Sequence, residues 1–162
     1  MLQSVVIKLE GDDAVEFKRY GSGEFKDLGR EAVRDNLVAS GLWTALRTRP
    51  FSKIPDPDSH PRSLFVTAMD TNPLAADPGV VIATDPDSFR VGLVVLSKLV
   101  HGTVYVCTAP NANIEVRNDE PFKHVEFSGP HPAGLVGTHL HFLDPVSETR
   151  SPGTSVTRTS SR

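Results

Sequence analysis

The sequence predicts an α/β domain with a mostly parallel sheet, and two features carry that prediction. The first is a strand–helix–strand succession across 63–108, in which apolar runs at Ser63–Met69 and Thr103–Thr108 flank a helical pattern. Such a unit places two parallel strands side by side with a right-handed crossover. The second feature is a further strand from Lys123 to Phe127.

The amino-terminal part predicts smaller elements. Ser4–Glu10 is β-branched and ends at a turn, so it predicts a strand, and Val15–Phe17 predicts a short strand that pairs back to it as a β-hairpin. A helix is expected from about Gly29 to Ala39, followed by a helical turn over 42–47. The proline-rich stretch 51–61 indicates a loop.

The helix between the two central strands has the clearest pattern in the chain. Phe89, Leu93, Leu96 and Val100 recur at helical spacing after a capping Asp85 or Asp87. With the strands, this helix defines an α/β domain over residues 1–147. Residues 148–162 are polar and without periodicity, so we expect a disordered or non-native tail there.

Composition limits the class of partner and compartment. The chain has 162 residues and a formal charge of −3, which argues against a nucleic-acid partner. Its single cysteine, Cys107, fits a reducing compartment. No apolar run approaches the about 20 residues of a membrane span. We therefore expect a cytoplasmic protein. If it works at a membrane, another component must anchor it there.

The loop that follows the first central strand carries polar side chains at a place where α/β proteins bind ligands. Asp70 and Asn72 are suited to grip a hydroxyl or a carbonyl, and Asp77 to assist. The alternative is that Asp-Thr-Asn-Pro and Ala-Asp-Pro are turns whose side chains bond their own backbone.

The loop from Ser128 to Pro145 holds three of the six histidines. On a strand, the spacing of His139 and His141 would send both imidazoles to one face, with His131 as a third zinc ligand and Asp144 as a carboxylate. This pattern leaves open a zinc-dependent hydrolytic domain that uses His131, His139 and His141. The alternative is a histidine hydrogen-bonded to the backbone.

A third group of residues combines cations with aromatics. Arg47, Arg49 and Lys53 surround Phe51 and follow Trp43. Such a cluster fits a phosphate, a quinone carbonyl or an acidic partner. Equally, Trp43 belongs to the core and the cations form a solvated rim.

Three long segments resemble a known family. Residues 40–53, 65–78 and 129–145 are similar, in the same order, to the A subunit of the bacterial Na+-translocating NADH:quinone oxidoreductase. The resemblance spans roughly residues 1–147. It implies that the chain is a fragment of a longer subunit.

The resemblance implies a peripheral subunit on the cytoplasmic face of the bacterial inner membrane. Its partners would be the other subunits of a six-subunit sodium pump, especially the membrane subunits, and it would contribute to complex assembly and to the quinone-reducing end. No cofactor is expected on the fragment, with ubiquinone as the candidate ligand; flavin and NADH belong to other subunits. The fragment is not expected to be catalytic by itself.

The family is distantly similar to the flavin-binding domain of the NADH subunit of complex I, which implies a Rossmann-like fold. The glycine-rich flavin loop of that relative is replaced here by a segment with a bulky Trp43, so we expect the fold to be kept and the flavin site to be lost. Within this frame we predict a surface that binds quinone or a partner. It comprises Trp43, Arg47, Arg49, Phe51, Asp70, Asn72, His131, His139 and Phe142.

Overall fold

A computed structural model describes residues 4–8, 10–21, 23–145 and 155–159. Within these residues, short 3₁₀ segments at Glu24–Lys26 and Leu42–Ala45 accompany the regular elements. The helices are α1 (Arg30–Ala39), α2 (Pro78–Ala83), α3 (Pro86–Ser97) and α4 (Val136–Leu143). The strands are β1 (Arg47–Arg49), β2 (Ser63–Ala68), β3 (Val104–Thr108), β4 (Phe122–Glu126) and β5 (Ser155–Thr159).

The five strands form one mostly parallel sheet in the order β1-β5-β2-β3-β4. β2 pairs in parallel with β5 and β3, β3 pairs in parallel with β4, and β1 is antiparallel to β5. The register aligns Ala68 with Thr108 and Thr108 with Glu126, so β2, β3 and β4 end in one row. This row, which we call the carboxyl edge, positions the candidate site.

Helices cover both faces of the sheet. On one face Leu64 and Val66 of β2 pack in a core with α1, α3 and Trp43. On the other face Phe65 and Cys107 pack against Val136 and Leu140 of α4. Each fully buried aliphatic or aromatic side chain contributes about 1.5–3 kcal/mol relative to exposure. The predicted α/β class and the strand–helix–strand unit are confirmed.

The central helix begins where the sequence predicts. Asp85 is its N-cap and accepts a hydrogen bond from the Ser88 N–H, and Pro86 occupies the first helical position. A second cap lies just before it. Asp77 accepts from the Gly79 N–H and begins α2, a helix that the sequence pattern does not predict.

The β-hairpin predicted for the amino-terminal part is wrong for the described residues. No strand occurs at 4–8 or 10–20, and Val6 is 93% and Val15 78% exposed. β-Branched residues favour a strand because they fit a pleated, half-buried surface. Here no layer of the domain covers them, so the propensity alone does not make a strand.

Residues 155–159 of the predicted tail at 148–162 form β5, while the domain limit at residue 147 and a non-native tail stay predictions. This stretch, Ser-Val-Thr-Arg-Thr, has the β-branched content that suits a strand, and it pairs between β1 and β2. The rest of that tail lies outside the described residues.

Candidate binding site at the carboxyl edge

The two loops that the sequence singles out meet at the carboxyl edge. Thr71 follows β2, and its Oγ1 accepts a hydrogen bond from the Gly134 N–H at 3.0 Å. The same oxygen lies 3.3 Å from Nδ1 of His131. A Cβ on Gly134 would sit 2.6 Å from the Thr71 nitrogen and 3.1 Å from the Asp70 carbonyl carbon. Only glycine therefore allows this close approach of the two backbones.

The carboxylates of the first loop hold its turns. Asp70 Oδ1 accepts from the backbone N–H of Asn72 at 2.8 Å and from its side-chain amide at 2.6 Å. Asp77 Oδ1 accepts from the Gly79 N–H at 2.8 Å. The alternative in which these side chains bond their own backbone is thus what the structure shows. Asn72 is exposed and Asp70 is half-buried, so both still border the surface.

His139 fixes the second loop from beneath. Its side chain is fully buried in α4, and Nε2 donates to the Ala133 carbonyl at 2.9 Å. Because a carbonyl oxygen only accepts, Nε2 carries the proton. The ring packs on Phe127 with centroids 4.3 Å apart. Burial lowers the pKa of His139, while the hydrogen bond to Ala133 acts in the opposite direction, so the imidazole is held neutral.

The zinc hypothesis is wrong in its geometry. His139 and His141 lie on a helix and not on a strand, and residues two apart on a helix do not share a face. His139 is buried, whereas His141 is exposed. Asp144 instead forms an ion pair with Arg62 and accepts from Ser63 Oγ at 2.8 Å. Across the described residues, no group of three or more histidine, cysteine or acidic side chains is placed to hold a metal ion.

The cationic and aromatic group is not brought to the carboxyl edge. Because β1 is antiparallel to β5, Arg49 lies level with Ser155 and hence with Ser63, at the amino end of β2. Arg47 is half-buried and donates to the Leu46 carbonyl at 2.8 Å. Phe51 is exposed in the turn that follows β1.

Trp43 is part of the core, as one of the two alternatives expects. Its ring is buried, and Nε1 donates to the Pro55 carbonyl at 2.8 Å. Phe142 lies on α4, mostly exposed, with its ring 6.4 Å from that of Phe127. Of the predicted site residues, the structure therefore groups Asp70, Asn72, His131 and His139.

Sequence reasoning missed the residues that join the loops. Thr71 stands between two flagged residues, and its partner Gly134 is 63 positions away. A second polar pair, Thr108 Oγ1 and His124 Nε2, lies at 2.8 Å beside the same edge. No periodicity signals such long-range pairs. The sequence offers only the general rule that loops at the carboxyl ends of parallel strands meet.

The fold and the site define the class first: an α/β domain with a mostly parallel sheet and two interlocked loops at its carboxyl edge. Within this class, the family model described as the NqrA second alpha/beta domain matches residues 28–152, and the chain belongs to that family. The resemblance seen in the sequence is thereby confirmed. The Rossmann-like comparison with complex I stays a prediction.

Curated relatives agree with the family assignment. The chain is 55% identical over 150 residues to the A subunit of the Na(+)-translocating NADH-quinone reductase of Yersinia pseudotuberculosis serotype O:1b (strain IP 31758), covering 93% of the chain and 34% of the relative. The corresponding subunit of Pasteurella multocida (strain Pm70) is also 55% identical over 150 residues, which is 93% of the chain and 34% of the relative. That of Serratia proteamaculans (strain 568) is 58% identical over 149 residues, 91% of the chain and 33% of the relative. The chain thus spans about a third of the length of these relatives.

The helices are short in relation to a membrane. None of those in the described part of the chain has both the length and the apolar character that a membrane crossing requires.

Proposed function

We propose that this chain is the second α/β domain of the A subunit in a bacterial sodium-translocating NADH–quinone reductase. The subunit is peripheral and lies on the cytoplasmic face of the membrane. The domain contributes to the quinone-reducing end of the enzyme and to assembly with the other subunits. NADH oxidation and flavin chemistry belong to those subunits.

One observation carries the proposal: the family match over residues 28–152 includes the two loops that meet at the carboxyl edge. The names of the relatives indicate the enzyme, and the arrangement of the two loops indicates the surface that we propose for binding. In parallel α/β sheets, ligands bind outside the carboxyl ends of the strands. The interlocked loops are therefore the part of this domain best placed to face quinone or a partner.

The edge offers hydrogen-bond donors that suit a quinone headgroup, whose two carbonyl oxygens only accept. Thr71 Oγ1 accepts from the Gly134 N–H and shares a hydrogen bond with His131 Nδ1, so the proton left for donation lies on Thr71 when Nδ1 is the donor and on His131 Nε2 when Nδ1 is the acceptor. His131 is exposed next to it, and Asn72 has a second amide hydrogen besides the one on Asp70. His139 supports the loop through Ala133 and does not reach the surface.

A titration with a short-chain, water-soluble ubiquinone tests the quinone role. We expect the amide signals of Thr71, Asn72 and Gly134 to shift, and Thr71→Val to weaken binding roughly tenfold because the hydroxyl that bonds the quinone or orients His131 towards it is lost. Thr44→Val is the matched control, since the hydroxyl of that exposed threonine donates to the nearby Gly41 carbonyl at 2.7 Å, away from the carboxyl edge. If none of the loop signals moves, the quinone role is refuted.

Assembly is tested separately in the full-length protein. Arg47 and Arg49 are the first and last residues of the antiparallel edge strand β1, and we expect their joint replacement by Gln to reduce the amount of complex recovered. Arg117→Gln is the control, because this exposed arginine pairs only locally with Asp119. Recovery equal to that of the control would count against a docking role for β1.

A further inference from the structure

The turn at the tip of the first loop places a leucine where glycine is favoured. The Ala75 N–H donates to the Asn72 carbonyl at 3.2 Å, with Pro73 and Leu74 as the central residues of the turn. Leu74 has φ +62°, in the left-handed region. A turn with proline first and a positive φ second is of type II, and its second central position normally takes glycine or asparagine. The backbone therefore accepts a cost that the commoner residues avoid.

The side chain of Leu74 does not pack against the described part of the domain. Its relative exposure is 105%, so it is as open to water as in an extended peptide. Neither its conformation nor its hydrophobicity serves the fold of the described residues. Backbone strain clusters at functional sites, so this leucine is a candidate for a contact that another surface completes.

The neighbouring segment also exposes apolar side chains. Val80 and Val81 of α2 are 67% and 53% exposed. The helix that carries them is held firmly, because Asp77 caps it and Gly79 approaches the Ala112 carbonyl so closely that a Cβ would lie 2.8 Å away. The tip is braced as well by the bonds between Asp70 and Asn72. Such a preorganised surface loses little entropy on binding.

Charge indicates what kind of surface covers it. Residues 70–89 contain four aspartates and no lysine, arginine or histidine. The next residue, Arg90, is paired with Asp87 and with Glu115. An acidic segment repels an anionic lipid surface and complements a basic protein surface. The chemistry thus favours a protein partner with an apolar pocket bordered by lysine or arginine.

We propose that Leu74, with Val80 and Val81, is a docking anchor that inserts into a basic-rimmed apolar pocket on another subunit of the reductase. This inference rests on the proposed function and names the part of the domain that makes the contact. The acidic residues set the approach and orientation of the partner, and Leu74 provides the buried contact.

The test is Leu74→Gly in the full-length protein, followed by co-purification of the reductase. Glycine adopts φ +62° freely, so the turn is kept while the side chain is lost. We expect roughly tenfold less partner subunit to co-purify, as for the loss of an interface anchor, with a Tm that stays within about 3 °C of the parent. Leu42→Ala is the control, since Leu42 is a 56% exposed leucine outside this segment. Unchanged co-purification of Leu74→Gly, or an equal loss in the control, would overturn the assignment.

Labelling identifies which surface covers the leucine. Leu74→Cys in the full-length protein should react with a maleimide in the isolated subunit and be protected in the complex, relative to the unsubstituted subunit. Protection already present in the isolated subunit would show that its own chain covers the tip, and equal labelling in both states would show that nothing does. Either result overturns the proposal. A third contrary result would be that Leu74→Gly assembles normally but no longer binds vesicles of anionic phospholipid.

The failure of this inference can be told apart from failure of the proposed function. If the parent protein itself does not co-purify with reductase subunits, both are overturned. If the parent assembles normally and Leu74→Gly assembles equally well, only the docking assignment falls.

Discussion

Gly134→Ala is the most direct test of the interlocked loops. The added Cβ would meet the Thr71 nitrogen at 2.6 Å, Thr71 Oγ1 at 2.9 Å and the Asp70 carbonyl carbon at 3.1 Å. Two of these three atoms belong to the backbone, so no side-chain rotation relieves the overlap. The two loops must separate, and the hydrogen bond from the Gly134 N–H to Thr71 is strained or lost.

The magnitude follows from three contributions. Overpacking of a close contact costs about 1–3 kcal/mol. Loss of the hydrogen bond adds about 1 kcal/mol. The reduced freedom of the unfolded chain returns about 0.4–1 kcal/mol. We therefore expect the free energy of unfolding to fall by about 1–3.5 kcal/mol, which lowers Tm by roughly 3–12 °C for a chain of this size.

Gly137→Ala is the matched control, three residues along the chain. No heavy atom lies within 4 Å of the position that its Cβ would take, and the residue is in α4. Alanine should raise stability there by up to about 1 kcal/mol. Thermal unfolding followed by circular dichroism compares the two variants. If Gly134→Ala were as stable as Gly137→Ala, the close contact between the loops would be refuted.

Three further predictions concern single groups. Burial lowers the pKa of His139 from its ordinary 6.5, so the unfolded chain binds a proton before the folded chain does as pH falls. The free energy of unfolding measured in urea should therefore be constant above about pH 7.5 and decline below about pH 6.5. His139→Phe should remove that part of the decline, and an unchanged pH profile would be the contrary result. Burial raises the pKa of Cys107 to about 12, so a disulfide reagent at pH 8 should label it only after unfolding, and rapid labelling of the native protein would contradict its burial. Asp85→Ala removes the cap of α3 and should lower Tm by about 3 °C, whereas Asp87→Ala, which leaves the Ser88 bond intact, should lower it less.

The core of the sheet could be predicted from sequence because its signals are local. β2 and β3 are apolar runs buried on both faces, and the helix between them has its own cap at Asp85. The same local signal fails at Val5–Ile7, which is equally β-branched but exposed. Propensity reports how well a residue fits a covered strand and not whether a cover exists. Only the tertiary structure decides between these two segments.

The loop that contains His139 and His141 shows a second limit of predicting structure from residue spacing. The two-residue spacing of His139 and His141 suggests a strand, although Val136, Leu140 and Leu143 recur at the i, i+4, i+7 spacing of a helix. The helical signal is the correct one, because burial of the apolar residues decides the element and the histidines follow it. The contact between Thr71 and Gly134 is another matter, because a single sequence carries no trace of which distant residues meet.

The polar side chains at the carboxyl edge first of all fix the conformation of its two loops. Asp70 holds Asn72, Thr71 holds Gly134, and His139 holds Ala133, so each conspicuous polar residue bonds a neighbouring part of the two loops. The conformations of both loops are thus set before any ligand or partner arrives, which reduces the entropy lost on binding. A rigid surface of this kind selects by shape and by the few donors left free, and its substitutions should therefore alter recognition and stability together. Leu74 differs from these residues, because its side chain is fully exposed while the hydrogen-bonded loop fixes its backbone conformation.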